Sequence, residues 1–378
     1  MKSLFFYGTL RYVPLLSLVL GRSVEELDLA PASLPGHGVV WADEQSFPMI
    51  VEATGAAPGL LVRGLSEADL ARLDFYEGGF GYDLRPMRVD THEAGAKGSE
   101  ACEVYFPHPG RWQPGAPWSL EDWIARSGEM TLHAAREVMG YFGSHAPDDL
   151  ARMFPMIRAR ATARVNARAK NLALSPGGFG EADVEVTGVA RPYVDFYALD
   201  EFDLSFRRYD GGQSDMVRRA VFVATDAVIV LPYDPRRDRV LLIEQFRPGP
   251  FARGDSRPWQ LEPIAGRIDS GESPQDTAHR EAREEAGLTL HGLHEVAHCY
   301  ASPGCSTEYF DIFIGITDLP DSVVGIAGLD SEAEDIRSYL FDFDALMRMI
   351  DDMQAANAPL VLAGLWLARH RARLRGGA

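Results

Sequence analysis

Glu281, Glu284 and Glu285 stand at positions i, i+3 and i+4 of one stretch, a spacing that puts three carboxylates on one face of a helix. Like charges packed so closely raise one another's pKa unless a cation intervenes. Oxygen-only ligands favour a hard divalent ion such as Mg²⁺, which would also neutralise the oxygens of a phosphate substrate. Arg280 precedes Glu284 by four residues and is placed to pair with it. An ordinary acidic surface helix is the competing explanation for the three glutamates alone. A second constellation lies early in the chain. Tyr7-Gly8-Thr9-Leu10 reads as a strand end entering a glycine turn, and Glu77 closes a helical stretch just before Gly78-Gly79. Taken singly, these also fit a plain strand end and a solvated helix terminus.

The elements that must hold these groups follow from periodicity and punctuation. Gly271 and Pro274 mark a loop that opens a helix over 273–286, and Gly287 stops it. Ser66-Glu67-Ala68-Asp69 followed by Leu70, Leu73 and Tyr76 gives a capping signal and then helical spacing. Strands are expected at 4–7, 60–62, 87–89, 184–189, 220–223, 227–231 and 240–244, and a terminal helix at 359–373. Residues 119–171 have helical texture, with Trp123, Ile124, Val138 and Met139 as apolar positions, and Ser175-Pro176-Gly177-Gly178 reads as a linker. The expected organisation is a β-rich first domain at 1–118, a helical connector at 119–180 and a third segment at 181–378, with no internal repeat.

A chain of 378 residues suits two or three domains, and 46% hydrophobic with 24% charged residues excludes a mostly disordered polymer. With 37 Lys and Arg against 55 Asp and Glu, the net charge of −18 makes nucleic acid an unfavourable partner. An anionic substrate would therefore need a metal ion or a local group of arginines. Residues 151–180 break the acidic background, carrying Arg152, Arg158, Arg160, Arg164, Arg168 and Lys170 and no acid. They read as a solvated face paired with acids of the flanking domains, with an anion-binding patch as the alternative. Cys102, Cys299 and Cys305 are too few for a disulfide framework and suit a reducing compartment. Cys299 and Cys305 near His298 fit no zinc spacing, which leaves buried thiols. The apolar run at 13–20 is far shorter than the roughly 20 residues of a membrane span, and no secretory leader is evident, so a cytoplasmic protein without membrane partner is expected.

The full stretch Gly266-Arg267-Ile268-Asp269-Ser270-Gly271-Glu272, seven further residues, then Arg280-Glu281-Ala282-Arg283-Glu284-Glu285-Ala286-Gly287-Leu288 resembles the Nudix hydrolase signature at every fixed position. Ala282 is small where the family prefers a larger apolar residue. The resemblance implies an α/β/α sandwich and Mg²⁺-assisted attack of water on a nucleoside diphosphate linked to another moiety, Mn²⁺ being the substitute ion. Over about 184–373 the sequence is similar to the ADP-ribose pyrophosphatases, Pro303 standing fifteen residues beyond Leu288 as in that subfamily. That likeness implies metal ligands at Glu281, Glu285, Glu334 and the carbonyl of Ala265. It makes Glu332 the general base, and Glu284 either ligand or salt-bridge partner. It also implies that Arg247 grips the diphosphate and that Arg219 and Phe196, from a partner subunit through a swapped N-terminal sheet, sandwich the adenine. A homodimer through the Nudix domain follows. For Phe196, simple core packing remains open.

Phe5-Phe6-Tyr7-Gly8-Thr9-Leu10-Arg11, Leu70 through Gly78, Phe80-Gly81-Tyr82-Asp83-Leu84-Arg85 and the Met87-Arg88-Val89 strand together resemble the γ-glutamylcyclotransferase fold over about 1–118. The resemblance implies a β-barrel with helices. The amides of the Tyr7–Leu10 turn would hold a glutamyl α-carboxylate, and Glu77 would be the base that frees the α-amine to close the lactam 5-oxoproline. After Arg11 the sequence departs from the commonest members, Tyr12-Val13-Pro14-Leu15 replacing a polar stretch. The combined expectation is mixed α+β architecture: a cyclotransferase-like barrel, a helical connector, and a Nudix sandwich with an N-terminal sheet extension that hydrolyses ADP-ribose to AMP and ribose 5-phosphate. Competing expectations are GDP-mannose or NADH as substrate, a bifunctional enzyme, and a nucleotide sensor without turnover. Fusions of this kind resemble bacterial proteins labelled tellurite-resistance factors, although no residue accounts for tellurite chemistry.

Overall fold

The computed structural model describes residues 1–77, 81–93, 96–169, 176–328 and 334–376. The chain divides into two compact units, Met1–Asn171 and Leu172–Ala378.

The first unit runs β1 (Lys2–Phe6), α1 (Val13–Leu20), β2 (Asp28–Ala42), β3 (Pro48–Leu65), α2 (Glu67–Glu77), β4 (Tyr82–Glu93), β5 (Ala96–Pro107), β6 (Pro114–Pro117), α3 (Leu120–Trp123), α4 (Glu129–Gly140) and α5 (Pro147–Ala169). Its sheet has the order β3-β1-β5-β4-β2-β6, and a further β3–β2 pairing closes it into a barrel. Burial on both faces of the sheet explains why residues 4–7, at the end of β1 and just beyond it, are apolar at every position. Phe5 and Tyr7 point into the cluster that contains Leu34, Leu61, Val89 and Val104. Leu4 and Phe6 join the other cluster, with Leu15, Leu16, Leu73 and Trp123. The helical segment thus packs on the barrel. The Tyr12–Leu15 departure has its reason here, because Tyr12 caps α1 and lies edge-on to Trp123 at 6.2 Å while Leu15 is fully buried. A π-helical turn, Ile124–Gly128, joins α3 to α4.

Two arginines of α5 find partners within the helical segment itself. Arg160 is buried against Glu137 of α4 at 2.5 Å, and Arg152 pairs with Asp149 one turn back. Lys170 lies outside the described residues.

The second unit contains β7 (Val184–Val194), β8 (Ala198–Phe206), β9 (Val217–Val223), β10 (Asp226–Asp234), β11 (Arg239–Phe246), α6 (Pro248–Arg253), β12 (Trp259–Glu262), β13 (Ile264–Arg267), α7 (Pro274–Ala286), β14 (Gly292–Tyr300), β15 (Tyr309–Ile316), β16 (Ile326–Ala327), β17 (Ile336–Asp342), α8 (Phe343–Asp351) and α9 (Ala358–Gly376). A mixed sheet built around β14-β15-β10-β11-β17 forms the middle layer, with β13 paired to β10 and β12 to β11. Along β10 the side chains alternate. Val228 and Val230 face α7 through Ala278 and Ala282, and Ile229, Leu231 and Tyr233 face α8 and α9 through Leu346, Leu360 and Leu367. Ala282 is fully buried in the first of these clusters, so its small side chain is a packing residue. A separate antiparallel sheet, β7-β8-β9, precedes this sandwich. Cys102 is buried, but Cys305 is exposed in the turn after Pro303-Gly304, which corrects the expectation of buried thiols.

Candidate functional site

In the second unit the site is built where β13 runs into α7. Ser273 caps the helix by accepting the Asp276 N–H at 3.1 Å, and Gly287 ends it in the left-handed region at φ 62°. One face of α7 therefore lies against the sheet, and Glu281 and Glu285 are almost fully buried with it. Glu285 Oε2 accepts the Ala265 N–H at 3.1 Å, tying the helix to β13. Glu281 lies so close to Gly266 that a Cβ there would stand 1.8 Å from its Oε1. Only glycine leaves that space.

Arg280 organises the acids. Its guanidinium donates to Glu272 at 2.9 and 3.0 Å, to Glu281 at 2.7 Å, to Glu284 at 3.0 Å and to the Arg267 carbonyl at 3.1 Å. The pairing with Glu284 is the one the i,i+4 spacing anticipates. Glu272 was legible only as a fixed position of the signature; here it is the residue that locks Arg280.

Burial raises the Glu281 carboxyl to about 7, opposed by Arg280 and aided by the neighbouring Glu284 and Glu334. Burial likewise pushes Glu285 well above the ordinary range, and Glu281 and Glu334 add to it. Glu334 thus stands within electrostatic reach of both. Glu332 lies outside the described residues. Among the described residues no three His, Cys, Asp or Glu side chains converge closely enough to hold a metal ion. The donor set nevertheless suits a hard cation: it is all oxygen, it is buried, and the glycine cradle beside Glu281 leaves the carboxylate room at the strand.

Arg247, at the N-terminus of α6, is bound by the buried Glu262 at 2.7 and 2.8 Å, a partner the sequence did not single out. Glu285 and Tyr197 act on its charge as well, so it belongs to the same neighbourhood. The Phe196 ring lies under the Arg267 guanidinium of its own chain at 4.6 Å and packs edge-on to Tyr197 at 4.7 Å. Phe196 is exposed, which argues against simple core packing. Arg219, on β9, donates to the Arg218 carbonyl at 3.0 Å.

In the first unit the fold gathers the expected residues into one cavity of about 130 Å³. It is lined by Tyr7, Gly8, Thr9, Leu10 and Glu77, together with aromatics that include Phe47, Tyr76, Tyr82, Tyr105 and Phe154. The turn is fixed by Arg11 N–H to the Gly8 carbonyl and Tyr12 N–H to the Thr9 carbonyl, both 3.0 Å. Glu77 ends α2, whose start carries a reciprocal cap: Asp69 N–H to Ser66 Oγ at 3.2 Å and Ser66 N–H to Asp69 Oδ2 at 2.8 Å. Burial alone raises the Glu77 carboxyl to about 7. Tyr7, Tyr82 and Tyr105 are raised too, chiefly by burial, and Glu77 contributes to each. The aromatic wall was not legible in the sequence, because its members are contributed by β1, α2, β4, β5, α5 and the approach to β3.

Comparison with known proteins agrees with this division. Residues 223–363 match the NUDIX domain and residues 4–125 match Gamma-glutamyl cyclotransferase, AIG2-like. The chain is 38% identical over 200 residues to the ADP-ribose pyrophosphatase of Escherichia coli (strain K12), an alignment covering 53% of this chain and 95% of that protein. It is 33% identical over 199 residues to the ADP-ribose pyrophosphatase of Haemophilus influenzae, covering 52% and 91%. To a GDP-mannose pyrophosphatase of Escherichia coli (strain SMS-3-5) it is 28% identical over 169 residues, covering 44% and 85%.

Proposed function

We propose, on the premise that this chain belongs to the Nudix family through its second unit and carries a cyclotransferase-like unit before it, that it is a Mg²⁺-dependent pyrophosphatase of ADP-ribose. The reaction is ADP-ribose plus water giving AMP and ribose 5-phosphate, with cleavage of a phosphorus–oxygen bond in the diphosphate bridge. The observation that carries this reading is the buried Glu281–Glu285 pair on one face of α7, held against Gly266 and Ala265. The higher identity to ADP-ribose pyrophosphatases than to a GDP-mannose pyrophosphatase favours ADP-ribose among the nucleotide sugars.

Glu281, Glu285, Glu334 and the Ala265 carbonyl would hold the ion, with Mn²⁺ as substitute and Glu284 as further ligand or Arg280 partner. Such an ion supplies charge neutralisation at the diphosphate oxygens and acidifies bound water. Glu332 takes the proton from the attacking water. Arg280 fixes Glu281 and Glu284 through its own anchor on Glu272. Arg247, oriented by Glu262, grips the diphosphate. Phe196 and Arg219 stack on the adenine.

A homodimer is part of the same reading. Val184, Val186, Val189 and Tyr193 of β7 and Phe206 of β8 are exposed large apolar residues on the small sheet, a surface suited to a second copy of the chain. A cytoplasmic setting is also proposed; among the described residues no helix is long and apolar enough to cross a membrane. The chain's division into a barrel at 1–118, a helical connector at 119–180 and a Nudix part at 181–378 stays our proposal for its evolutionary parts. No residue of either site accounts for tellurite chemistry.

A second reading is favoured by the cavity beside Glu77: the first unit binds a γ-glutamyl compound and releases 5-oxoproline, with Glu77 as base and the Tyr7–Leu10 turn as carboxylate site. The first reading is tested by Mg²⁺-dependent AMP formation in the wild type, Glu285→Gln and Glu332→Gln. Loss in both variants supports the assignment, whereas full rate in both removes it.

A further inference from the structure

The N-terminal cavity has a wall that the cyclotransferase-like region does not supply. Among the described residues lining it, Phe154 alone lies beyond residue 125, where the family match ends. It comes from α5, a helix firmly mounted on the unit: Met153, Met156 and Ile157 are buried, and the Arg160–Glu137 ion pair ties α5 to α4 with both side chains largely hidden. Pro155, next in sequence, removes a backbone donor from the turn on which Phe154 sits. Arg158 stands four residues on from Phe154, hence on the same helical face, and its charge is felt by the phenol of Tyr76, another lining residue. Phe154 therefore lines the wall that includes Glu77, and Arg158 on the same face acts on that wall through Tyr76.

The size of the cavity limits its contents. About 130 Å³ is comparable to a void that takes a benzene-sized guest, so one glutamyl group fills most of it. If the Tyr7–Leu10 turn and Glu77 hold the carboxylate and amine ends of that group, the substituent on the γ-amide is left to the apolar remainder of the wall, which includes Phe47, Pro48 and Phe154.

We propose that Phe154 is a specificity-determining residue of this pocket, its ring limiting the γ-glutamyl substrates to amides of compact amines. The proposal rests on the reading of the first unit as a γ-glutamyl site. It gives the helical segment a part in substrate selection, beyond joining two units.

The test uses the full chain as wild type, Phe154→Ala and Phe154→Leu with γ-glutamyl methylamide, isobutylamide and benzylamide, following 5-oxoproline release. The wild type should prefer the methylamide. Phe154→Ala should shift the kcat/KM ratio toward the benzylamide by at least about tenfold, mainly through KM, with Phe154→Leu between the two. Should the alanine variant melt early, the leucine variant decides. Release by the wild type with the same ratio in both variants overturns the role of Phe154 and leaves the γ-glutamyl reading standing. No release from any amide, together with no binding by calorimetry, overturns that reading and this proposal with it.

Discussion

The chemistry assigned to each site depends on a few buried or half-buried carboxylates. In the second unit, Glu285 is buried and bonded to the Ala265 N–H, so replacing it with glutamine keeps the shape while removing the charge. Glu285→Gln should lower Mg²⁺-dependent hydrolysis by about a hundredfold or more with little change in melting temperature. Steady-state rates over a Mg²⁺ titration check this, and a rate near wild type would remove Glu285 from the site. In the first unit, Glu77 is raised by burial from the ordinary 4.5 to about 7. As a base it works only when ionised, so 5-oxoproline release should rise with pH through about 7 and be absent in Glu77→Gln. The same shift acts on stability. Between pH 4.5 and about 7 the folded state holds a proton that the unfolded state has lost, so stability falls as pH rises across that window, by about 3 kcal/mol. Glu77→Gln should therefore melt higher than wild type at pH 8 and show little gain at pH 5. Equal melting shifts at both pH values would mean that Glu77 ionises freely.

At the scale of the element, the strand β13 and the helix α7 work as one device. The spacing of Glu281, Glu284 and Glu285 made the helix and its acidic face legible, and Ser273 and Gly287 made its ends legible, because caps and periodicity are local properties. The strand contact was not local. That Gly266 is the floor under the Glu281 carboxylate becomes visible only when β13 pairs with β10 and α7 packs on both. Gly266→Ala would place a Cβ where Glu281 now lies, so it should cost roughly 10- to 100-fold in activity and weaken Mg²⁺ dependence while leaving far-UV circular dichroism unchanged. Unaltered activity in that variant would show that Glu281 can move without consequence. In the barrel, the strand 4–7 was legible from its apolar run, whereas the long β2–β3 hairpin was only partly so. Its strands carry many Gly, Ala and Pro residues, which lowers their strand signal, and their pairing is fixed by barrel closure.

At the scale of the whole molecule, the acidic net charge of −18 is compatible with the proposed anionic diphosphate substrate, since part of the acidity lies in the glutamates grouped around Arg280 and β13, the proposed cation site. Texture along the chain made a β-rich part, a helical stretch and a linker legible, whereas the barrel and the sandwich were expected only from the family resemblances. The helical segment was harder, because its arginines look solvent-facing in sequence while Arg160 is in fact buried against Glu137. Homodimer formation belongs to this scale: sedimentation equilibrium should give twice the 41.6 kDa chain mass, and Val186→Lys on the exposed sheet should shift it toward the monomer. A wild type that stays monomeric at micromolar concentration would contradict this. The central claim, hydrolysis of ADP-ribose, is tested most directly by product analysis of the full chain with Mg²⁺ over ADP-ribose, GDP-mannose and NADH. The account predicts AMP and ribose 5-phosphate from ADP-ribose at the highest kcat/KM of the three. ADP-ribose left intact while GDP-mannose or NADH is cleaved would contradict it.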